Sequence, residues 1–206
     1  MTLLTIAASY GAGGSRVAPE LARRLDVPFL GRPSEPELLT GDEDTGEEEA
    51  ANEGLGPGRL LSWVASMAVS WGTPAGLTAE ELLPDEARRR ELEREVQAFA
   101  EAGAGVILGR GAAVLLHGDA RALHVLLDGP ADARVEQAMA IERIDRRTAE
   151  RRLERMDRFR RAYLEDLYGV DVREPGIFHL TLDSTAIALE DCVEIILGAA
   201  ARRSGP

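Results

Sequence analysis

The residues best suited to chemistry stand near the start of the chain, where Ser9-Tyr10-Gly11-Ala12-Gly13-Gly14-Ser15-Arg16 follows a short apolar run. Glycines lack the Cβ that keeps a backbone at a distance, so successive N–H groups can converge on one anion, and a helix starting there adds positive potential. That chemistry is a cradle for a polyphosphate. Gly11, Ala12, Gly13, Gly14 and Ser15 would supply backbone donors, Ser15 also a hydroxyl for Mg2+, and Arg16 a cation. The same glycines also suit a tight structural turn, and the string alone does not choose between the two.

A Walker A loop carries lysine where this chain has Gly14, followed by Ser or Thr, here Ser15. The chain contains no lysine: all 24 basic residues are arginine. Any cationic task therefore falls to a guanidinium, which grips phosphate through two parallel donors where an ammonium is a point charge. Arg110, in Val106-Ile107-Leu108-Gly109-Arg110-Gly111, lies just past a buried strand, at the edge where open parallel sheets bind ligands. From Arg134 to Arg161, ten arginines accompany six acids, a local charge of +4 inside a chain of −12. Most are expected to be solvated or paired with Glu142, Glu150 and Glu154 at helical spacing. The last of them, in Asp157-Arg158-Phe159-Arg160-Arg161-Ala162-Tyr163, read as a lid that clamps a transferring phosphate, with a salt-bridged face as the alternative.

Other candidates carry less. His117, His124 and His179 are far apart in the chain and lack metal-ligand spacing. Asp128 ends an apolar strand as a magnesium-positioning carboxylate would, yet Asp128-Gly129-Pro130 is also a plain turn, which we favour. Cys192 reads as a small buried apolar residue on the last helix.

The elements that must position these residues alternate. Leu3 to Ala8 reads as a buried parallel strand, and Val17, Ala18, Leu21, Ala22 and Leu25 mark one stripe of a helix over 15–25. An acidic, glycine-containing loop covers 42–53, helical patterns follow over 60–71 and from the Thr78/Glu81 capping box to about Ala102. Strands are expected at 106–108, 123–127 and 178–182, and helices at 131–141, 146–167 and 186–201. Strands and helices in this order give short parallel strands with right-handed crossovers. One domain accommodates all 206 residues.

Composition excludes several classes. A net charge of −12 argues against a DNA partner, which needs a broad basic face. One cysteine rules out an intrachain disulfide and a cysteine-built zinc site, and the N-terminal apolar run is too short for a signal peptide or spanning helix. The expectation is a cytoplasmic protein, not membrane-bound, for which a homodimer is compatible.

With glycine loop, strand-Gly-Arg, arginine lid, strand and closing helix in that order, the chain resembles the cytidylate-kinase-like family of P-loop nucleoside monophosphate kinases. Tyr10-Gly11-Ala12-Gly13-Gly14 is similar to the family's Tyr/Phe-Gly-Ser-Gly-Gly, Pro28-Phe29-Leu30 to its Pro-Phe-Tyr, and Gly109-Arg110 to its Gly-Arg. Asp157 to Tyr163, Tyr168-Gly169-Val170-Asp171 and Asp183-Ser184-Thr185 resemble its Asp-Lys-x-Arg-x-x-Tyr, Thr-Gly-x-Asp and Asn-Thr-Ser. The resemblance implies an α/β, three-layer P-loop NTPase-type fold: a short parallel β-sheet flanked by helices, a helical acceptor-binding insertion over 34–102 and an arginine-rich lid over 143–172. It implies ATP as donor with Mg2+, residues 11–15 holding the ATP phosphates, Arg110 gripping the acceptor with Arg32 and Tyr163 nearby, and Arg158 and Arg160 neutralising developing charge. CMP is the first acceptor it suggests. Gly111 replaces the aspartate with which cytidylate kinases read cytosine, and the acidic segment 35–53 replaces the usual start of the acceptor region. A kinase of another small molecule, or a nucleotide-binding regulatory module without turnover, are the competing readings.

Overall fold

The computed structural model describes residues 2–31, 86–168 and 176–203, with the side chains of 86–89, 91–92 and 158–168 outside that description. The chain divides into two units, Met1–Gly31 with Leu92–Pro206, and Arg32–Glu91. The sheet and its core belong to the first unit.

β1 (Leu3–Ala8) forms where the apolar run places Leu3, Leu4, Thr5 and Ile6 at 0–1% exposure. A strand buried on both faces must be covered by helices on both, and the core divides accordingly. Leu4 and Ile6 face one side with Val17, Ala18 and Leu21 of α1 (Gly14–Leu25) and Cys192, Val193 and Ile196 of α6 (Leu189–Arg203). Leu3 faces the other with Val96 and Ala100 of α2 (Glu86–Glu101) and Ala112 of α3 (Ala112–Leu115). β2 (Phe29–Leu30), β3 (Gly105–Leu108), β4 (Ala122–Asp128) and β5 (Leu180–Asp183) complete a five-stranded sheet. Its order is β2-β3-β1-β4-β5 and every pairing is parallel. A third cluster, Val135, Ala138, Ala149 and Leu153, joins α4 (Ala131–Glu142) to α5 (Arg146–Tyr168). The expected α/β, P-loop NTPase-type three-layer fold is the one observed.

Two local bounds need correction. β5 starts at Leu180 rather than at residue 178, and α6 starts at Leu189 rather than at residue 186, where the Asp183 carboxylate instead holds a turn through the Thr185 and Ala186 amides. β2 and α3 are too short to show a period and escape pattern reading. The expected helix over 60–71, the capping box at residues 78 and 81, and most of the 34–102 insertion lie outside the described residues.

The three histidines, separated in sequence, are stacked in space. His124 is fully buried on β4, its ring 4.8 Å from that of His179 and 6.4 Å from that of His117. The hydrogen bonds assign the tautomers. His124 Nε2 donates to the Leu116 carbonyl (3.1 Å), so its Nδ1 accepts from the Thr5 hydroxyl (2.7 Å) on the neighbouring strand. His179 Nδ1 accepts the His124 amide (3.0 Å). Parallel rings cannot converge lone pairs on one ion, and among the described residues no group of three or more His, Cys, Asp or Glu could hold a metal. The stack is structural.

Burial first, then the neighbouring His179, pushes the His124 pKa down to about 4. Its folded pKa lies below its unfolded value, so this contribution to stability is complete above about pH 6.5 and is lost as pH falls towards 4. The groups facing it are His117, His179, Arg203 and the Leu116 carbonyl. Thermal melts across this window should show a loss on the order of 3 kcal/mol from the His124 proton alone. His124→Gln should be less stable at pH 7 yet show a flatter slope from pH 6.5 to 4; an unchanged slope would remove His124 as the titrating group.

Candidate active site: an amide-lined loop at the carboxyl edge of the sheet

The strands' carboxyl ends gather the candidate residues on one edge. Ala8 leads into the glycine loop, Leu108 into Gly109-Arg110-Gly111, Asp128 into Gly129, and Asp183 into Ser184. β1 is central, and the chain order reverses on its two sides. Such a switch point opens a crevice beyond the strand ends.

Within the loop, Gly11 and Gly13 take positive φ values of 77° and 74°, a region that disfavours side chains. A Cβ on Gly11 would lie 2.2 Å from the Arg134 carbonyl oxygen, so α4 packs directly onto the loop backbone. Every carbonyl from Ser9 to Gly13 has a donor. Ser9 accepts from the Ala12 amide (3.0 Å), Tyr10 from Arg134 Nη1 (3.0 Å) and Gly11 from Gln137 Nε2 (2.9 Å). Ala12 accepts from the buried Ser184 hydroxyl (2.8 Å), and Gly13 from the Arg16 and Val17 amides (2.9 and 3.0 Å).

In a trans peptide the C=O and N–H point in opposite directions. Fixing the Tyr10, Ala12 and Gly13 carbonyls therefore turns the Gly11, Gly13 and Gly14 amides the other way. Among the described residues no hydrogen bond takes up these three N–H groups or that of Ser15. α1 starts at Gly14 and has no side-chain cap, so its first-turn amides and its dipole face the same space. Buried or half-buried donors without acceptors are costly unless an anion or water completes them. The loop thus leaves four backbone donors open to an anion or water at the head of α1.

Gly14 is packed shut. A Cβ there would sit 2.5 Å from Ala8 Cβ and 3.3 Å from Leu108 Cδ1. Ser15 and Arg16 are exposed, and no ion pair ties Arg16 to any described residue. Pro19, inside α1, lacks the N–H that would close on the Ser15 carbonyl.

Arg110 is the middle of three successive left-handed residues, Gly109 (φ 73°), Arg110 (57°) and Gly111 (66°). This tight reversal folds its side chain back across the sheet edge. Nε and Nη2 both donate to the Gly31 carbonyl (3.0 and 2.9 Å), and Nη1 pairs with Glu95 at 2.6 Å. The guanidinium is thus at the expected edge but held by its own chain. Arg32 and the side chains of Arg158, Arg160 and Tyr163 lie outside the described residues.

Sequence reasoning missed the braces. Arg134, only 8% exposed, donates to Gly129 and Tyr10 and forks onto Asp157 (3.0 and 2.7 Å). In the sequence it is one member of an arginine-rich run. Tyr10 donates to Glu142 (2.8 Å), which also accepts from Arg152 (2.8 Å); burial and the Glu142 carboxylate raise the Tyr10 pKa, so the phenol stays protonated. Arginine pairing is expected at helical spacing, as Arg146 with Glu150 is, but Arg152–Glu142 and Arg146–Glu136 bridge separate helices instead. Asp128 ends β4 before the Gly129-Pro130 turn, and its carboxylate lies 3.6 Å from Arg134 Nε.

The sequence profile described as the cytidylate kinase-like family matches residues 3–186. Among curated proteins, a cytidylate kinase of Aeropyrum pernix is 35% identical over 118 residues, covering 55% of this chain and 65% of its own length, just under two thirds. Two crystal structures share the fold. One is an uncharacterized protein from Eubacterium ventriosum ATCC 27560, with TM-score 0.62, 16% identity, and 98% and 99% of the two chains covered. The other is a shikimate kinase from Acinetobacter baumannii in complex with shikimate, with TM-score 0.51, 15% identity, and 100% and 96% covered. No described helix is long and apolar enough to cross a membrane. A glycine loop turned amide-outward at the head of α1, on a parallel sheet of this order, and a profile match over most of the chain agree: the protein belongs to the cytidylate kinase-like family.

Proposed function

We propose that the protein is an ATP-dependent phosphotransferase that moves the γ-phosphoryl group of ATP to a small-molecule acceptor, with CMP or a related nucleoside monophosphate as the first candidate. The observation that carries this is the loop whose carbonyls are all occupied while the Gly11, Gly13, Gly14 and Ser15 amides remain for an anion. In phosphoryl transfer the acceptor oxygen attacks phosphorus, the bond to the β-phosphate oxygen breaks, and the acceptor's proton leaves to water or a nearby base. Little covalent chemistry falls to the protein, and catalysis is positioning plus charge stabilisation.

The loop amides and the α1 dipole would hold the donor's phosphates, and exposed Arg16 stands beside them as a cation. Ser15 and Asp128 supply hard oxygen donors that suit Mg2+, which takes one or two protein oxygens and keeps its waters; bound there it would neutralise phosphate charge. Arg110 would meet the acceptor after exchanging Glu95 for it, while Arg158 and Arg160 of α5 are proposed to close over the transferring group.

A second reading has its own support. Glu95 neutralises Arg110, and Gly111 stands where a cytosine-reading aspartate is found in cytidylate kinases, so an acceptor other than CMP fits the same site. A panel of nucleoside monophosphates and hydroxylated small molecules, followed by ADP release, separates the two. ATP binding with no turnover on any acceptor would instead leave a nucleotide-binding module.

Two substitutions test the assignments. Gly11→Ala drives a Cβ into a backbone oxygen and should reduce ATP affinity by at least about tenfold in calorimetry, with a folded far-ultraviolet spectrum. Unchanged affinity would mean that the loop is not the phosphate site. Arg110→Ala should raise the acceptor KM by roughly 10- to 100-fold with ATP binding little changed, whereas Glu95→Gln, which frees the guanidinium, should lower the KM of an anionic acceptor. Equal loss of donor and acceptor binding in Arg110→Ala would count against its role.

A further inference from the structure

Arg134 occupies a position that neither the motif reading nor the family's glycine loop assigns. It sits in the first turn of α4, almost wholly buried, with its planar fork spanning three elements. Nε donates to the Gly129 carbonyl after β4, Nη1 donates both to the Tyr10 carbonyl and to Asp157 Oδ1, and Nη2 donates to Asp157 Oδ2. Asp157 lies on α5, immediately before the segment carrying Arg158 and Arg160. The Tyr10 carbonyl belongs to the same peptide plane as the Gly11 N–H, the first of the loop donors.

We infer that Arg134 is a positioning residue that couples the arginine-rich helix α5 to the aim of the phosphate loop: Asp157 sets the plane of the guanidinium, and the guanidinium sets the Tyr10–Gly11 peptide. The inference rests on the phosphate-binding reading of the loop. Its physical basis is rigidity. A guanidinium holds its donors in one plane, so moving the carboxylate turns Nη1, the donor that Tyr10 shares with Asp157. A lysine in this place would offer a point charge and transmit no orientation. Two further donors hold the neighbouring peptides, Gln137 on Gly11 and Ser184 on Ala12, so the Arg134 contact controls the first peptide and leaves the later ones in place. The coupling runs both ways: a phosphate chain bound at Gly11 also favours the guanidinium orientation that Asp157 holds.

The test uses the full-length chain and inorganic tripolyphosphate with Mg2+, a probe that needs neither acceptor nor turnover. Its dissociation constant is measured by calorimetry for the wild type, Arg134→Gln, Asp157→Asn and the double variant, well below each thermal midpoint. Each single variant is expected to weaken binding by about tenfold, and the double variant to weaken it no further than the worse single, because both remove one linkage. Multiplicative losses, or an Asp157→Asn variant that binds as the wild type does, would overturn the coupling. Asp157→Glu, which keeps the carboxylate, should recover most of the affinity lost in Asp157→Asn, a rescue that lost stability alone would not predict.

If the wild type fails to bind tripolyphosphate, the phosphate reading fails and the linkage is still decided by NMR. The Gly11 amide resonance must then shift in Asp157→Asn while those of Gly13 and Gly14 stay in place. A Gly11 resonance that does not move sinks the proposal. Should Arg134→Gln not fold, Asp157→Asn with its Glu rescue carries the same comparison.

Discussion

The direction of three peptide planes is the constraint on which this molecule depends. A backbone amide can be offered to a ligand only if the carbonyl on the same plane is accommodated elsewhere, and here each such carbonyl has a donor from another element or from the first turn of α1. Arg134 and Gln137 come from α4, and Ser184 from the turn after β5. These elements reach the loop because β4 and β5 continue the sheet outward from β1, placing their carboxyl ends in line with its own. The sheet order thus serves the orientation of a few N–H groups.

Electrostatics follow from the same geometry. The loop lacks a lysine, so near it the positive potential comes from oriented amides, the α1 dipole and guanidinium groups. Two of those guanidiniums are already matched by carboxylates, Arg110 by Glu95 and Arg134 by Asp157, but to different effect. Glu95 is half-exposed, so its pair with Arg110 is open to solvent, whereas Asp157 shares a largely buried fork with Arg134. Toward the opposite end of the strands, burial favours the neutral form of His124 within its histidine stack.

Much of the scaffold is legible in the sequence because its signals are local. The largely apolar runs at β1 and β4, the three- and four-residue spacing of α1, and the glycines at a strand-to-helix turn each report on their own segment. The family resemblance, carried by dispersed short motifs, supplies the order of the parts. Contact between segments stays hidden. Gln137 lies 126 residues from the carbonyl it holds and Ser184 lies 172 from its own, and no periodicity marks either. Arg134 is concealed by company, since nine other arginines follow within its stretch and only packing distinguishes the buried one. The histidines lack ligand spacing in the chain, and their stacking arises from sheet register, which pairs Thr5 with His124 and brings His179 alongside.

The tight contact between Gly14 and Ala8 also bears on how such a loop can change over time. Installing the ordinary lysine at position 14 would push its first side-chain carbon into a methyl group of β1, so that single replacement is blocked by its neighbour. A side chain at position 14 would need the position-8 methyl removed and Leu108 shifted, so positive charge beside this loop falls to residues of other elements.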